Sequence, residues 1–225
     1  MARLPALVDA LTGVDGRDRG VIDHMAREIR EVGLIQTTKR GRGSAEMTSQ
    51  DAAHLLLGVY GSDGRGSAAE AARILGPLRV LRLPGLSEPA GGRWHPGAEA
   101  IQNQLTLAGA VAAVIELGKQ LADQSIRTQS TLPVLGPMFE QPKDGLELEG
   151  WPDGLSVMLR IHRPTLEAYL VLAWRGARRA EEHPVPFAPG RAQADGVRPI
   201  SAFEVHTLVH ARVFRALHRV LYAEV

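Results

Sequence analysis

The chain contains no cysteine, which excludes disulfides, cysteine-ligated zinc, iron–sulfur clusters and thiol catalysis together. Aromatic residues are scarce at 4%, so a core has to be built mainly from Leu, Ile, Val and Ala. Neither sign of charge dominates: 26 Lys and Arg against 25 Asp and Glu leave +1 over 225 residues. That balance excludes a uniformly basic coat for nucleic acid and an acidic, solvating tail. No uninterrupted apolar run approaches the roughly 18 residues of a membrane span. The opening residues, MARLPALVDALTGVDGRD, lack an apolar segment followed by a small-residue cleavage site. A cytoplasmic protein with no membrane partner is therefore expected. What is present is ordinary globular composition, 44% apolar and 23% charged, enough for one large domain or two small ones.

Charge is distributed in local clusters. Residues 1–75 hold ten basic and ten acidic side chains, so any electropositive surface there must come from close spacing. Two such clusters occur, Lys39-Arg40-Gly41-Arg42 and Arg175 with Arg178 and Arg179.

Apolar spacing predicts a short helix from Leu4 to Leu11, ended by Gly13 and Asp15-Gly16. A second is predicted from Asp18 to Val32, with Val21, Ile22, Met25 and Ile29 as its buried stripe and Gly33 as its left-handed stop. Thr48 with Asp51 forms a capping box for a third helix reaching Tyr60, and Ser67 with Glu70 another for a helix reaching Leu75. Beyond Pro77, Leu78 to Leu83 reads as a strand and Ala98 to Gln124 as a long helix with Ile101, Leu105, Ala108, Ala112, Ile115 and Leu117 buried. Leu155 to Trp174 alternates as a hairpin around Arg163-Pro164-Thr165. Arg175 to Ala194 reads as a loop. Ser201 and Glu204 open a terminal helix from Ala202 to Ala223.

The architecture expected is α+β: an amino-terminal helical, helix-turn-helix-like module over residues 1–76, then residues 77–225 with a β-hairpin, a long central helix and a carboxy-terminal helix. Trp94, Trp151 and Trp174 all fall in the second part and can enlarge its core. The apolar side of the terminal helix, Phe203, Val213, Phe214, Leu217 and Leu221, requires a partner. Either the hairpin sheet or the same helix of a homodimer supplies it.

Residues 18–60 carry the main functional candidate. Lys39, Arg40 and Arg42 supply charge to hold phosphates, while Gly41 and Gly43 allow close backbone approach. Thr48, Ser49 and Gln50, at the amino end of the next helix, offer hydroxyls and free N–H groups to phosphate. The plainer reading is a solvated loop beside a packing helix. The stretch Arg27-x-Ile29-Arg30-Glu31-x-Gly33-Leu34-Ile35, followed by KRGRG and MTSQDAAHLL, resembles uncharacterised phage and prophage regulators with a helix-turn-helix-like start. The resemblance covers about the first 60 residues. It implies double-stranded DNA as partner and transcription regulation as role.

Enzyme signals are thin. There is no Walker loop, no GxSxG and no glycine fingerprint after a strand. Gly61-x-x-Gly64-x-Gly66 follows a helix and reads as a flexible turn, while Glu147 and Glu149 read as solvated. His206 and His210, four apart on the expected terminal helix, would share a face where a metal can bind. Their apolar neighbours make a buried or interface pair the plainer account, with His218 on the surface. No catalytic residue, metal or cofactor is expected. A DNA-binding regulator is thus the leading expectation, and a non-enzymatic interaction or assembly protein without DNA contact the alternative.

Overall fold

The computed structural model describes residues 2–37, 45–62, 67–80, 101, 103–123, 155–163, 167–175, 180–188 and 205–222. Its architecture is mixed α+β: helices packed with a five-stranded antiparallel sheet.

Helix α1 spans Leu4–Asp15 and α2 spans Arg19–Glu31. Helix α1 continues through Gly13 to Asp15, beyond the expected end, because Gly16 is the residue that turns left-handed (φ 85°). Asp18 then caps α2, accepting the Gly20 N–H at 2.7 Å. Gly33 takes φ 79° just past its end, as its position predicts. Ile22, Ala26 and Ile29 form the buried side of α2, while Val21, expected in that stripe, is 45% exposed.

Helix α3, Ser49–Gly61, is the centre of the helical half. From Asp51 to Gly61 every residue except His54 and Tyr60 is buried. It packs against α2, against α4 (Ala68–Leu75) and against α5 (Leu107–Asp123). Close approach is possible because Gly58 has no Cβ; one would lie 2.4 Å from Ile29 Cδ1 and 2.8 Å from the Ala68 carbonyl oxygen. Ser67 caps α4, but its second partner is Glu28 of α2 rather than Glu70. The Glu28 carboxylate accepts both the Ser67 hydroxyl and the Ala68 N–H at 3.0 Å.

Strand β1 (Arg79–Val80) precedes α5, whose regular helix begins at Leu107 rather than Ala98. Thr106 sets that start: its hydroxyl accepts the Gly109 N–H and its carbonyl the Ala110 N–H. Leu105, expected on the buried side, is 72% exposed. Ile101, Ala108, Ala112, Ile115 and Leu117 are buried as expected.

Strands β2 (Leu155–Arg163) and β3 (Glu167–Arg175) form the expected hairpin. Beyond it lie two differences from the sequence reading. Residues within the expected loop form β4, Ala180–Ala188, paired along its length with β3. Pro184 and Pro186 stand two apart, so their missing N–H groups fall on one side of the strand. Among the described residues, β1 pairs only with Phe187 and Ala188, leaving the proline stretch on an edge. The expected terminal helix is in fact strand β5, Val205–His210, followed by helix α6, Ala211–Tyr222. Sheet order is β1-β4-β3-β2-β5. Val157, Leu159, Ile161, Ala168, Leu170, Phe187 and Val209 are buried and join the side chains of the helices in a single apolar cluster that includes Leu7, Ile29, Leu56 and Phe214. Helix α6 lies against α1, α5 and β2 of its own chain.

Candidate functional site

The site builds from the amino end of α3. Thr48 closes a capping box: its Oγ1 accepts the Asp51 N–H at 3.2 Å and donates to Asp51 Oδ2 at 2.7 Å. Asp51 returns the bond by accepting the Thr48 N–H at 2.8 Å and also takes the Gln36 N–H at 2.9 Å. The neighbouring Ser49 is only 6% exposed, and its hydroxyl donates to Glu116 Oε1 on α5. The hydroxyls of Thr48, which is exposed, and Ser49, which is buried, thus both have carboxylates of the chain as partners.

Gln50 is exposed and oriented by His54. The Leu34 carbonyl can only accept, so His54 Nδ1 donates to it at 2.7 Å. In the neutral ring Nε2 then accepts, and the Gln50 amide donates to it at 3.3 Å. One amide N–H of Gln50 is fixed in this way, leaving its carbonyl oxygen and second N–H.

The facing surface comes from α5. Gly109, Ala112, Ala113 and Glu116 recur at helical spacing and line one stretch of the helix. Hydrogen or methyl side chains at three of these positions leave a trough. Gln50 walls it from α3, and Asn103 with Gln104 from the turn before α5. The cleft has a volume of about 450 Å³, within the range of small-molecule sites, although such sites are usually mostly apolar. This one is lined by carboxamides, a hydroxyl and one carboxylate.

Glu116 is held from behind by α6. Tyr222 donates to the same Oε1 at 3.4 Å, and its ring packs on His218 with centroids 5.2 Å apart. His218 is buried rather than on the surface, and its Nδ1 donates to the Ile115 carbonyl at 2.6 Å. Burial pushes the His218 imidazole below its ordinary value, outweighing that hydrogen bond. Burial likewise raises the Tyr222 phenol, with the nearby Glu116 charge adding to it.

A separate polar cluster joins the α1–α2 turn to the far end of α3. Arg17 binds Asp15 through Nε at 2.5 Å and Nη2 at 2.8 Å, donates Nη1 to the Val59 carbonyl at 3.0 Å, and lies over the Tyr60 ring. The guanidinium holds the Asp15 carboxyl below the usual carboxylate range, while burial, then Asp15, pushes the Tyr60 phenol well up. These contacts tie the α1–α2 turn to the end of α3.

The structure brings Thr48, Ser49 and Gln50 together, as consecutive residues at one helix end, but both of their hydroxyls are engaged by carboxylates of the chain. Lys39, Arg40 and Arg42 lie outside the described residues, as do Arg178, Arg179, Gly64, Gly66, Trp94, Trp151, Glu147 and Glu149. His206 and His210 are on a strand, opposite His162 and Met158. Four residues along a strand span about 13 Å, so the pair does not meet at one metal. Among the described residues no group of three or more His, Asp or Glu side chains is placed to hold a metal ion. Glu116, Asn103 and Gln104 were not legible as site residues. One signal was available: Glu116 is the lone charge in LAGAVAAVIEL.

Comparison with protein-family models, with curated proteins and with solved structures finds no match to the chain. Among the described residues no helix is long and apolar enough to cross a membrane.

Proposed function

We propose that the protein is a non-enzymatic binding protein whose ligand enters the polar cleft between the amino end of α3 and α5. The observation that carries this reading is the burial of Ser49 at the amino end of α3, between the exposed Thr48 and Gln50. Ser49, which the sequence offers to phosphate, is buried and donates to Glu116, and both line a cleft of about 450 Å³. A phosphate there would meet a carboxylate instead of free donors. Apart from His54 and Tyr60, α3 is buried from Asp51 to Gly61, which supports a packing role rather than insertion into a DNA groove. Seventeen residues separate α2 from α3, far from the three- or four-residue turn of a helix-turn-helix. Acid–base catalysis is commonly run by a pair of titratable groups, whereas among the described residues lining the cleft Glu116 is the single such side chain.

The test is a thermal-shift survey of the full chain against polar small molecules. A ligand at a hundred times its Kd stabilises by about 2.7 kcal/mol. At least one compound should raise Tm saturably, and Ala113→Leu, which fills the trough, should abolish the shift while preserving the circular dichroism spectrum. Equal responses from wild type and Ala113→Leu would overturn the reading.

Duplex DNA is the second reading, supported by the spacing of Lys39, Arg40 and Arg42. Other arginines are neutralised by neighbours, Arg17 by Asp15, Arg19 by Asp9 and Arg27 by Asp23, whereas this trio has no acidic residue between Gln36 and Ala45. Filter binding at two salt concentrations tests it. Replacing all three by Ala should reduce the slope of log K against log salt by about 0.9 per lost contact, and an unchanged slope contradicts it.

A further inference from the structure

Building on the cleft as a binding site, we infer that His54 is a positioning residue for it. By fixing the sense of the Gln50 amide, His54 makes the α3 wall a hydrogen-bond acceptor, which selects neutral ligands that bring an N–H or O–H donor. Gln50 and His54 stand four residues apart, neighbours along one side of α3. The ring is held at two points. Its Nδ1 lies 2.7 Å from the Leu34 carbonyl oxygen, which can only accept, so the proton of the neutral ring is on Nδ1. Its edge lies beside Gly76 at the end of α4, where an added Cβ would stand 3.7 Å from Cδ2.

Nε2 therefore turns a lone pair toward Gln50, and the amide nitrogen stands 3.3 Å from it. The opposite sense of the amide would aim the carbonyl oxygen at that lone pair, setting two acceptors face to face with no proton between them. Nitrogen and oxygen branch from one planar carbon, so with the nitrogen at the ring the oxygen is the polar atom turned away from it. The second N–H stays on the nitrogen beside the ring. An amide free to rotate offers donor and acceptor alike. Gln50 lines the cleft, and in its fixed sense it rewards a ligand donor and repels a ligand acceptor. A single neutral hydrogen bond of this kind corresponds to about twofold to tenfold in affinity.

Titration of the full chain followed by nuclear magnetic resonance tests the selectivity, with butyramide as the donor-bearing probe and N,N-dimethylbutyramide as its donor-free match. Butyramide should bind more tightly by about twofold to tenfold. His54→Asn can still donate to Leu34 but presents no ring acceptor to Gln50, and it should shrink the ratio of the two affinities. A purely structural role for His54 would lower Tm and leave that ratio unchanged. If His54→Asn unfolds, Gln50→Met on the exposed wall carries the same comparison, with the same loss of preference expected. Long-range proton–nitrogen correlation of the neutral His54 ring should find its proton on Nδ1, and a proton on Nε2 instead would overturn the inference. So would a ratio unchanged in the variants, or equal binding of the two probes; loss of both probes in Ala113→Leu would then still leave the cleft as a binding site. Failure of both probes to bind wild type would overturn the selectivity, and the cleft reading falls with it if the thermal-shift survey also finds no compound.

Discussion

Ser49 and Glu116, 67 residues apart, meet in a hydrogen bond that ties the amino end of α3 to the middle of α5. The same carboxylate takes Tyr222 from α6, so three helices converge on one polar point at the edge of an apolar core. Replacing Ser49 by Ala removes one donor while leaving the partly solvated carboxylate in place. The expected destabilisation is about 1–2 kcal/mol, measured by urea unfolding, with a shift in the midpoint and an unchanged m value. No change in midpoint would mean the bond contributes nothing to the junction.

Gly58 sits where α2 and α4 press closest on α3. A methyl group there meets Ile29 and, at 2.8 Å, the backbone oxygen of Ala68, which cannot swing away as a side-chain tip does. Gly58→Ala should therefore destabilise by about 1–3 kcal/mol, the usual cost of overpacking, despite the better helix propensity of Ala. A variant more stable than wild type would show that the helices are not this close.

Leu217 is fully buried on α6, in the cluster shared with α1, α5 and β2. Leu217→Ala should cost about 2–5 kcal/mol. Because the partners belong to the same chain, Tm should not vary with protein concentration. A Tm that rises over a hundredfold concentration range would instead locate this leucine in a dimer seam.

Acid should weaken the fold in two stages. His218 is held neutral by burial, so its folded pKa lies below the ordinary value of about 6.5. Its contribution is present above that value and is lost as pH falls below it, because the unfolded chain takes up the proton first. The Asp15 carboxyl is depressed chiefly by Arg17. Its contribution is present above the ordinary value of about 3.9 and is lost as pH falls through the lower, folded pKa. Stability measured from pH 8 to pH 3 should show both declines. Arg17→Met should flatten the lower one and His218→Asn the upper. Identical pH profiles for wild type and the two variants would contradict these assignments.

Local chemistry made much of the helical half legible. Asp18, Gly33 and the Thr48–Asp51 box act through neighbours in sequence, and each is found where its residue type predicts. The sheet was half legible. The β2–β3 hairpin alternates plainly, but β4 contains Pro184 and Pro186, which signal a loop until an edge position accommodates them. In β5, Val205, Thr207 and Val209 alternate as a strand, yet the preceding Ser201 and Glu204 resemble a helix start. Pairing with β2 decides the outcome, and that is a tertiary effect. His218 is buried only because Ile115 of α5 offers its carbonyl. The cleft was illegible for the same reason: small residues on α5 signal a void only once the facing helix and the Asn103–Gln104 turn are in place.

The central claim is the proposal that a polar small molecule enters the cleft between α3 and α5. Amide nuclear magnetic resonance of the full chain, titrated with a compound that raises Tm in the thermal-shift survey, locates binding directly. The account predicts saturable shifts in the side-chain amides of Gln50 and Asn103 and in the backbone amides of Gly109 and Ala113, all lost in Ala113→Leu. Shifts centred elsewhere, or the same shifts retained in Ala113→Leu, would contradict it.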